Sequence, residues 1–401
     1  MNLFYKIYCR IYQFIFKLLI PFFPYRKPKI LQSQEEISKE LDKRKINNVL
    51  VVTDKGIVGA GILTHLLNCF DKQSIKYQIF DETIANPTSD NVESARNKYL
   101  ESNCQAIIAI GGGSPIDLAK ALGARIASPN KSLEKMKGLL KVHKKLPPFF
   151  VIPTTAGTGS ETTVTSVITD SKTHHKYLIN DFSLIPHYAV LDYSVTLGLP
   201  KHITSTTGMD ALTHAIEAYI GNTRTKETKS MSVEATKLIV KYLPICYKDP
   251  TNVEARRNML FASHYAGIAF TKAYVGYVHA IAHTLGGKYG VPHGLANAVI
   301  LPIMLEEYGN SIHKKLSVLS KESKIADESD TDEVASKKFI DWIKNANKLM
   351  GIPTCIDIIN EKDIDMMVDL AYKEAHPLYP VPKLMSKEEL KKMYFKIKTN
   401  G

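Results

Sequence analysis

From about residue 46 the chain alternates short apolar runs with amphipathic stretches, and no other feature limits its fold as strongly. Asn48-Val-Leu-Val-Val52 reads as a buried strand and residues 58–70 as a helix. The unit recurs as strand 76–80, helix 91–103, strand 106–110 and helix 115–127. Strand and helix in regular alternation predict a parallel sheet covered by helices. Residues 149–152 and 189–191 add strands, and 163–169 with 175–179 resemble an antiparallel pair whose turn holds His174 and His175. After about residue 199 the β-branched runs give way to segments of helical period, clearest at 208–220, 228–243, 253–270 and 334–350; Gly351 and Pro353 end the last of these. The expected organisation is an N-terminal extension (1–26), an α/β domain with a parallel sheet (27–197) and an all-helical C-terminal domain (198–401).

The 401 residues, 44% of them hydrophobic, suffice for two domains and a sizeable core. The net charge of +12 is spread over scattered lysines with no nucleic-acid recognition signature, so no nucleic-acid partner is expected. Five cysteines, Cys9, Cys69, Cys104, Cys246 and Cys355, are widely spaced and form no Cys-x-x-Cys pair. They predict small core residues in a reducing, cytoplasmic setting. Residues 1–24 mix Phe4, Ile7, Ile11, Phe14, Phe16, Leu18, Leu19, Phe22 and Phe23 with Lys6, Arg10 and Lys17. The apolar stretch after Lys17 is too short to span a bilayer, and no cleavage site follows it. Two readings remain: a helix making peripheral membrane contact, and a helix docked on the protein or its dimer partner. Docking is favoured because exposed Phe and Ile otherwise need lipid.

Two glycine-rich loops follow apolar strands. Gly111-Gly-Gly-Ser114 runs into Pro115 and a helix, with Ser114 expected as its cap, Pro115 in first position and Asp117 in a capping-box spacing. Backbone N–H groups there suit a pyrophosphate, although an ordinary glycine turn fits this piece alone equally well. Pro153-Thr-Thr-Ala-Gly-Thr-Gly-Ser160 repeats the arrangement. Asp54, just after the first strand, suits a ribose and disfavours a 2′-phosphate, which points to NAD over NADP; a turn former beside Gly56 is the alternative.

Asp210 and His214 stand four apart in a helical segment, as do His279 and His283, and His293 follows in a Pro-His-Gly stretch read as a loop. Residues four apart share a helix face, so the set suggests a metal site of one Asp and three His, with Fe²⁺ or Zn²⁺ equally suited. Only four of the five are ligands if a position stays open. Such a metal lowers the pKa of bound water from about 15.7 to about 7, and the same Lewis acidity favours an alkoxide. The fifth residue would then carry a proton. The other histidines lack comparable partners and are read as structural. A hydrolase is excluded by the lack of a nucleophile elbow or a recognisable cysteine setting.

Four motifs in order carry a resemblance: Gly111-Gly-Gly-Ser-Pro-Ile-Asp-Leu-Ala-Lys120, Pro153-Thr-Thr-Ala-Gly-Thr-Gly-Ser-Glu161, Thr207-Gly-Met-Asp-Ala-Leu-Thr-His-Ala-Ile-Glu217, and His279-Ala-Ile-Ala-His283 with Pro292-His-Gly294. The sequence resembles the iron-containing (group III) alcohol dehydrogenases, relatives of glycerol dehydrogenase and dehydroquinate synthase. The resemblance implies a dehydroquinate synthase-like fold and an active site in the cleft between its domains. It implies metal ligation by Asp210, His214, His279 and His293, and proton transfer by His283. It further implies dinucleotide contacts at Asp54, Asn86, Gly112, Gly113, Ser114, Asp117, Thr154, Thr155, Thr163, Val167 and Lys176. The implied activity interconverts a primary alcohol and its aldehyde with NAD(H) in a homodimer holding Fe²⁺; NADP and Zn²⁺ are the alternatives. Rival substrates on this scaffold are a polyol, a hydroxy acid or a maleylacetate-type compound, and the rival class is a membrane-associated non-catalytic relative. Asp192-Tyr193 departs from the family's common Asp-Pro, and the N-terminal extension lies outside its usual core.

Overall fold

The computed structural model describes residues 1–173 and 175–399; His174, expected in the hairpin turn, lies outside them. The chain divides into two compact units, one of Pro24–Leu197 and one of Met1–Phe23 with Gly198–Gly401.

Among the described residues the first unit is built on nine strands: β1 (Lys29–Leu31), β2 (Asn48–Val52), β3 (Lys76–Phe80), β4 (Ala106–Gly111), β5 (Gly138–Leu139), β6 (Phe149–Pro153), β7 (Thr165–Thr169), β8 (Lys176–Asn180) and β9 (Tyr188–Val190). Six form a wholly parallel sheet in the order β1-β9-β6-β4-β2-β3. Its central strands explain their own sequences. Leu50, Val52, Ile107, Ala109, Phe149 and Val151 belong to the core on one face, and Val49, Val51, Ile108, Ile110, Phe150 and Ile152 to the core on the other. A strand covered on both sides has no polar face, so these runs are continuously apolar. β5, β7 and β8 make a smaller sheet in which β7 and β8 are antiparallel, as expected.

Three local expectations need correction. Residues 58–70 are not one helix: Lys55–Gly59 and Thr64–Lys72 are separated at Gly61, whose φ of +70° takes the backbone out of helical geometry. β1 was not anticipated, because three residues give too short a pattern; it pairs with β9 at the sheet edge. The third concerns the helix after β4, which begins at Gly113 with Gly112 as its cap, so Ser114 does not cap it and Pro115 stands third.

The second unit is helical. Helix Lys201–Ile220 is buried around most of its circumference, as a central core helix must be. Close approach of its neighbours depends on small residues: a Cβ on Gly208 would lie 2.3 Å from Leu243 Cδ1, and one on Gly294 2.4 Å from the Thr206 carbonyl oxygen. The N-terminal helix Leu3–Leu19 belongs to this unit. It docks, but through the face opposite to the expected one. Cys9 and Gln13 are buried, while Phe4, Ile7, Ile11, Phe14 and Leu18 stay exposed. Burial follows hydrogen bonding here: Arg10 donates to the carbonyls of Val381 (2.7 Å) and Pro382 (2.9 Å), and Gln13 to those of Tyr379 (2.8 Å) and Pro377 (3.1 Å). Among the described residues no helix is long and apolar enough to cross a membrane. Four cysteines are buried and Cys355 is half-buried, all of them free thiols.

Candidate active site

In the Pro24–Leu197 unit, β2 is the strand at which the chain reverses direction across the sheet, since β3 lies on one side of it and β4 on the other. The carboxyl ends of such strands are where open α/β sheets bind ligands. Asp54 follows β2 and accepts from the Ile57 N–H (3.0 Å), so its carboxylate caps a helical turn at that end. The two glycine loops, after β4 and β6, come together: Thr154 N–H donates to the Gly111 carbonyl (3.0 Å), a Cβ on Gly112 would lie 3.7 Å from Thr155 Oγ1, and one on Gly113 3.4 Å from Thr158 Cγ2. With glycine as cap, helix Gly113–Ala127 has no side-chain cap hydrogen bond among the described residues, and its first N–H groups are of the kind an anion at a helix N-terminus takes. Ser114 stands half-buried in that first turn.

Asp117 is not part of a capping box. It accepts from Ser160 Oγ (3.0 Å) and from the Val167 N–H (3.1 Å), tying the second loop and β7 to the helix. Lys120, one turn on and fully buried, donates to Thr163 Oγ1 (2.6 Å), Thr163 O (3.0 Å) and Thr165 O (2.9 Å). Burial pushes its ammonium down to about 8, against the pull of Asp117 and Glu161. Thr163 and Val167 are thus engaged in shaping the loop, through a hydroxyl and an N–H respectively. Asn86 and Lys176 meet through an Nζ to Oδ1 hydrogen bond of 2.7 Å. The sequence signal for Lys120 is an apolar helix face interrupted by one lysine.

In the helical unit, Asp210 and His214 lie on helix Lys201–Ile220, His279 and His283 on helix Tyr277–Tyr289, and His293 opens helix His293–Tyr308 rather than sitting in a loop. Pro292 fixes that start, since the residue before it is disfavoured in helical conformation. Ligand-type atoms of Asp210, His214, His279 and His293 all lie within 4.8 Å of one another. Asp210 Oδ1 is 3.5 Å from His293 Nε2 and 3.9 Å from His279 Nε2, and Oδ2 is 4.0 Å from His214 Nδ1. The rings of His214 and His279 stack at 4.5 Å, and Phe270 backs His214 at 4.0 Å. His283 is outside this tetrad; its ring stacks on that of His293 at 5.2 Å.

Four further side chains complete the arrangement. Asn297 Nδ2 is 2.7 Å from Asp210 Oδ1, 3.2 Å from His279 Nε2 and 3.1 Å from His293 Nε2. Three acceptors converge on one amide nitrogen that has only two protons, and a convergent set of this kind fits a divalent cation. Glu217 accepts the N–H groups of Gly276 (2.8 Å) and Val278 (2.9 Å) and sits 2.6 Å from His279 Nδ1. This directs Nε2 of His279 at the cluster. Burial raises the Glu217 carboxyl to about 7 against the pull of those N–H groups. Burial, with the nearby His214, His293 and His283, holds His279 well below its ordinary value, so the ring is neutral as a ligand must be. Glu374 and Tyr379 are the other two: Glu374 Oε1 accepts from His283 Nδ1 (2.6 Å) and from the Tyr379 hydroxyl (2.7 Å). Burial raises the Glu374 carboxyl, and His283 with the Tyr379 hydroxyl outweighs it, leaving a net depression.

The sequence matches the family described as iron-containing alcohol dehydrogenase over residues 28–193, and the C-terminal domain of the Fe-containing alcohol dehydrogenase family over residues 204–397. Alcohol dehydrogenase 4 of Schizosaccharomyces pombe is 36% identical over 351 residues, covering 86% of this chain and 82% of the relative. The chain belongs to the iron-containing alcohol dehydrogenase family. It is an oxidoreductase acting on alcohols. Among solved structures of similar fold, 1,3-propanediol oxidoreductase superposes with a TM-score of 0.89 at 30% identity, covering 94% of this chain and 99% of that one. Sulfoacetaldehyde reductase from Bifidobacterium kashiwanohense, solved in complex with NAD⁺, gives a TM-score of 0.84 at 27% identity over 94% and 99% of the two chains.

Proposed function

We propose that this family member interconverts a primary alcohol and its aldehyde by hydride exchange with NAD(H), using a divalent metal, Fe²⁺ by family, held by Asp210, His214, His279 and His293. The observation that carries the reading is the convergence of these four side chains, from three helices, within 4.8 Å in a largely buried site. When bound, the ion supplies Lewis acidity toward an alcohol oxygen. The protein's own part is positional. Glu217 fixes the tautomer and orientation of His279, and burial keeps that ring neutral. His283, with 42% of its side chain exposed, carries the substrate proton outward, oriented by Glu374. The helix N-terminus at Gly113, with Thr155 and Thr158 facing it, receives the dinucleotide's pyrophosphate, and Asp54 at the end of β2 favours NAD over NADP. Free buried thiols support a reducing cytoplasmic setting, and the family resemblance supports a homodimer.

The test is anaerobic NADH oxidation with short aldehydes, comparing Fe²⁺-loaded, Zn²⁺-loaded and chelated protein. Turnover that needs metal and is lost in His279→Ala is the expected result. A folded, metal-loaded protein inactive with every aldehyde and with both NADH and NADPH would overturn the reading.

A further inference from the structure

The N-terminal helix is docked inside out. An amphipathic helix packed on a globular protein ordinarily turns its apolar stripe inward. Here the inward stripe is Tyr5, Cys9, Arg10, Gln13 and Phe16, anchored by the Arg10 and Gln13 hydrogen bonds and by an edge-on contact of Phe16 with Tyr274 at 5.0 Å. The outward stripe is apolar along its length: Phe4 is 83% exposed, Ile11 53%, Phe14 59%, Leu18 55% and Phe22 82%. A groove of about 670 Å³ continues this surface, walled by Ile7, Ile11 and Phe14 on the helix and by Pro382 and Leu384 beside it; Lys6 also lines it, as do Lys383 and Glu389, which pair with each other at 3.2 Å. So much contiguous apolar surface marks an interaction site.

Charge selects the occupant. Residues 1–23 hold no acidic side chain and three basic ones, Lys6, Arg10 and Lys17. On the helix itself, Lys6 and Lys17 are exposed along one edge of the apolar stripe, where long stems lie along an apolar surface and raise their ammonium groups toward phosphates. A second copy of the chain is disfavoured, because a two-fold contact sets the same patch against itself and would bring the two sets of lysines together. We propose that the outward face of helix Leu3–Leu19, with Phe22 at its end, docks the enzyme on an anionic lipid surface. The helix lies in the interface plane, its Phe, Ile and Leu side chains among the acyl chains and Lys6 and Lys17 at headgroup level.

Flotation of the full chain with vesicles of phosphatidylcholine containing phosphatidylglycerol, and with phosphatidylcholine alone, tests this. Binding to the anionic vesicles, weakened by salt, is expected. Lys6→Gln with Lys17→Gln should weaken partitioning about fivefold per charge removed, about 25-fold together. Phe4→Ser with Phe14→Ser, both exposed and so harmless to folding, should abolish binding, while aldehyde reduction is retained in both double variants. Failure to float with anionic vesicles overturns the proposal, as does equal binding by the double variants. Self-association in the absence of lipid that is lost in Phe4→Ser with Phe14→Ser would assign the face to a second copy and overturn it too.

Discussion

Glu217→Gln separates the role of a carboxylate beside the proposed metal ligands from that of the ligands themselves. Glu217 never enters the four-residue cluster, yet its two oxygens accept three hydrogen bonds: Oε2 from Gly276 N–H and His279 Nδ1–H, Oε1 from Val278 N–H. Glutamine keeps one acceptor. If its oxygen takes the Oε2 position, His279 keeps its partner but the new NH₂ faces the Val278 N–H; the reverse orientation loses two bonds instead of one. The first is therefore adopted, and it strands one buried donor at a cost of about 1–3 kcal/mol of stability. The charge behind His279 disappears in either case. Loss of such a carboxylate typically weakens metal binding about 10–100-fold, or about 1.4–2.7 kcal/mol. Metal affinity is read by competition with a chromogenic chelator, and folding by circular dichroism and Tm of the metal-free protein. A folded variant whose affinity lies within about twofold of the parent would refute the assignment of Glu217 as the group that orients His279.

Gly294→Ala places a Cβ 2.4 Å from a backbone carbonyl oxygen of Thr206, which cannot swing away, so the start of the His293 helix must shift; expect about 1–3 kcal/mol of destabilisation in urea titrations together with weaker metal binding. His283→Ala should lower kcat about 100-fold or more while metal content, measured by atomic absorption, is unchanged; loss of the metal would place His283 among the ligands instead. Lys120→Met removes a buried cation whose Nζ serves Thr163 and Thr165. Breaking such a cluster costs about 3–5 kcal/mol, seen as a lowered Tm that saturating NADH offsets only in part. Glu40 is held at about 2 by hydrogen bonds from Lys29 and Lys43. A depressed carboxylate contributes stability above its unfolded value near 4.5 and loses it as pH falls toward 2, so Glu40→Gln should be less stable at neutral pH and flatten acid unfolding between those limits. Parallel acid-unfolding curves for variant and parent would contradict that assignment.

What was legible in the sequence depended on range. The tetrad could be found because Asp210 with His214 and His279 with His283 repeat at the helical spacing of four, which puts both members of a pair on one face before any tertiary contact is known. Asn297 stands four beyond His293, but with His293 read as a loop residue that spacing implies no shared helix face. Glu217 and Glu374 had no signal of this kind: their partners His279 and His283 lie 62 and 91 residues away, and only packing joins them. In the first glycine loop, strand, glycines and helix were readable, but composition does not say which glycine starts the helix, so Ser114 and Asp117 were given capping roles that Gly112 makes unnecessary. The N-terminal helix failed differently. Its apolar stripe was visible and docking was expected through it, whereas the carbonyls of residues 377–382, unreadable at that distance, capture Arg10 and Gln13 and leave the stripe outside.

The two units share a device that also explains which residues escape pattern reading. In each, a fully buried ionisable group facing no ligand satisfies several backbone groups at once: Lys120 holds the carbonyls of Thr163 and Thr165, and Glu217 holds the N–H groups of Gly276 and Val278. Burying a charge is costly unless it is fully hydrogen-bonded, so such groups persist where they fix a backbone path that apolar packing would leave loose. The paths fixed here are the second glycine loop and the start of the His279 helix. A substitution at either group should therefore change stability and ligand affinity together, whereas one at the half-exposed His283 should change rate while leaving Tm nearly unmoved. That pairing of effects distinguishes a residue that shapes a site from one that acts in it.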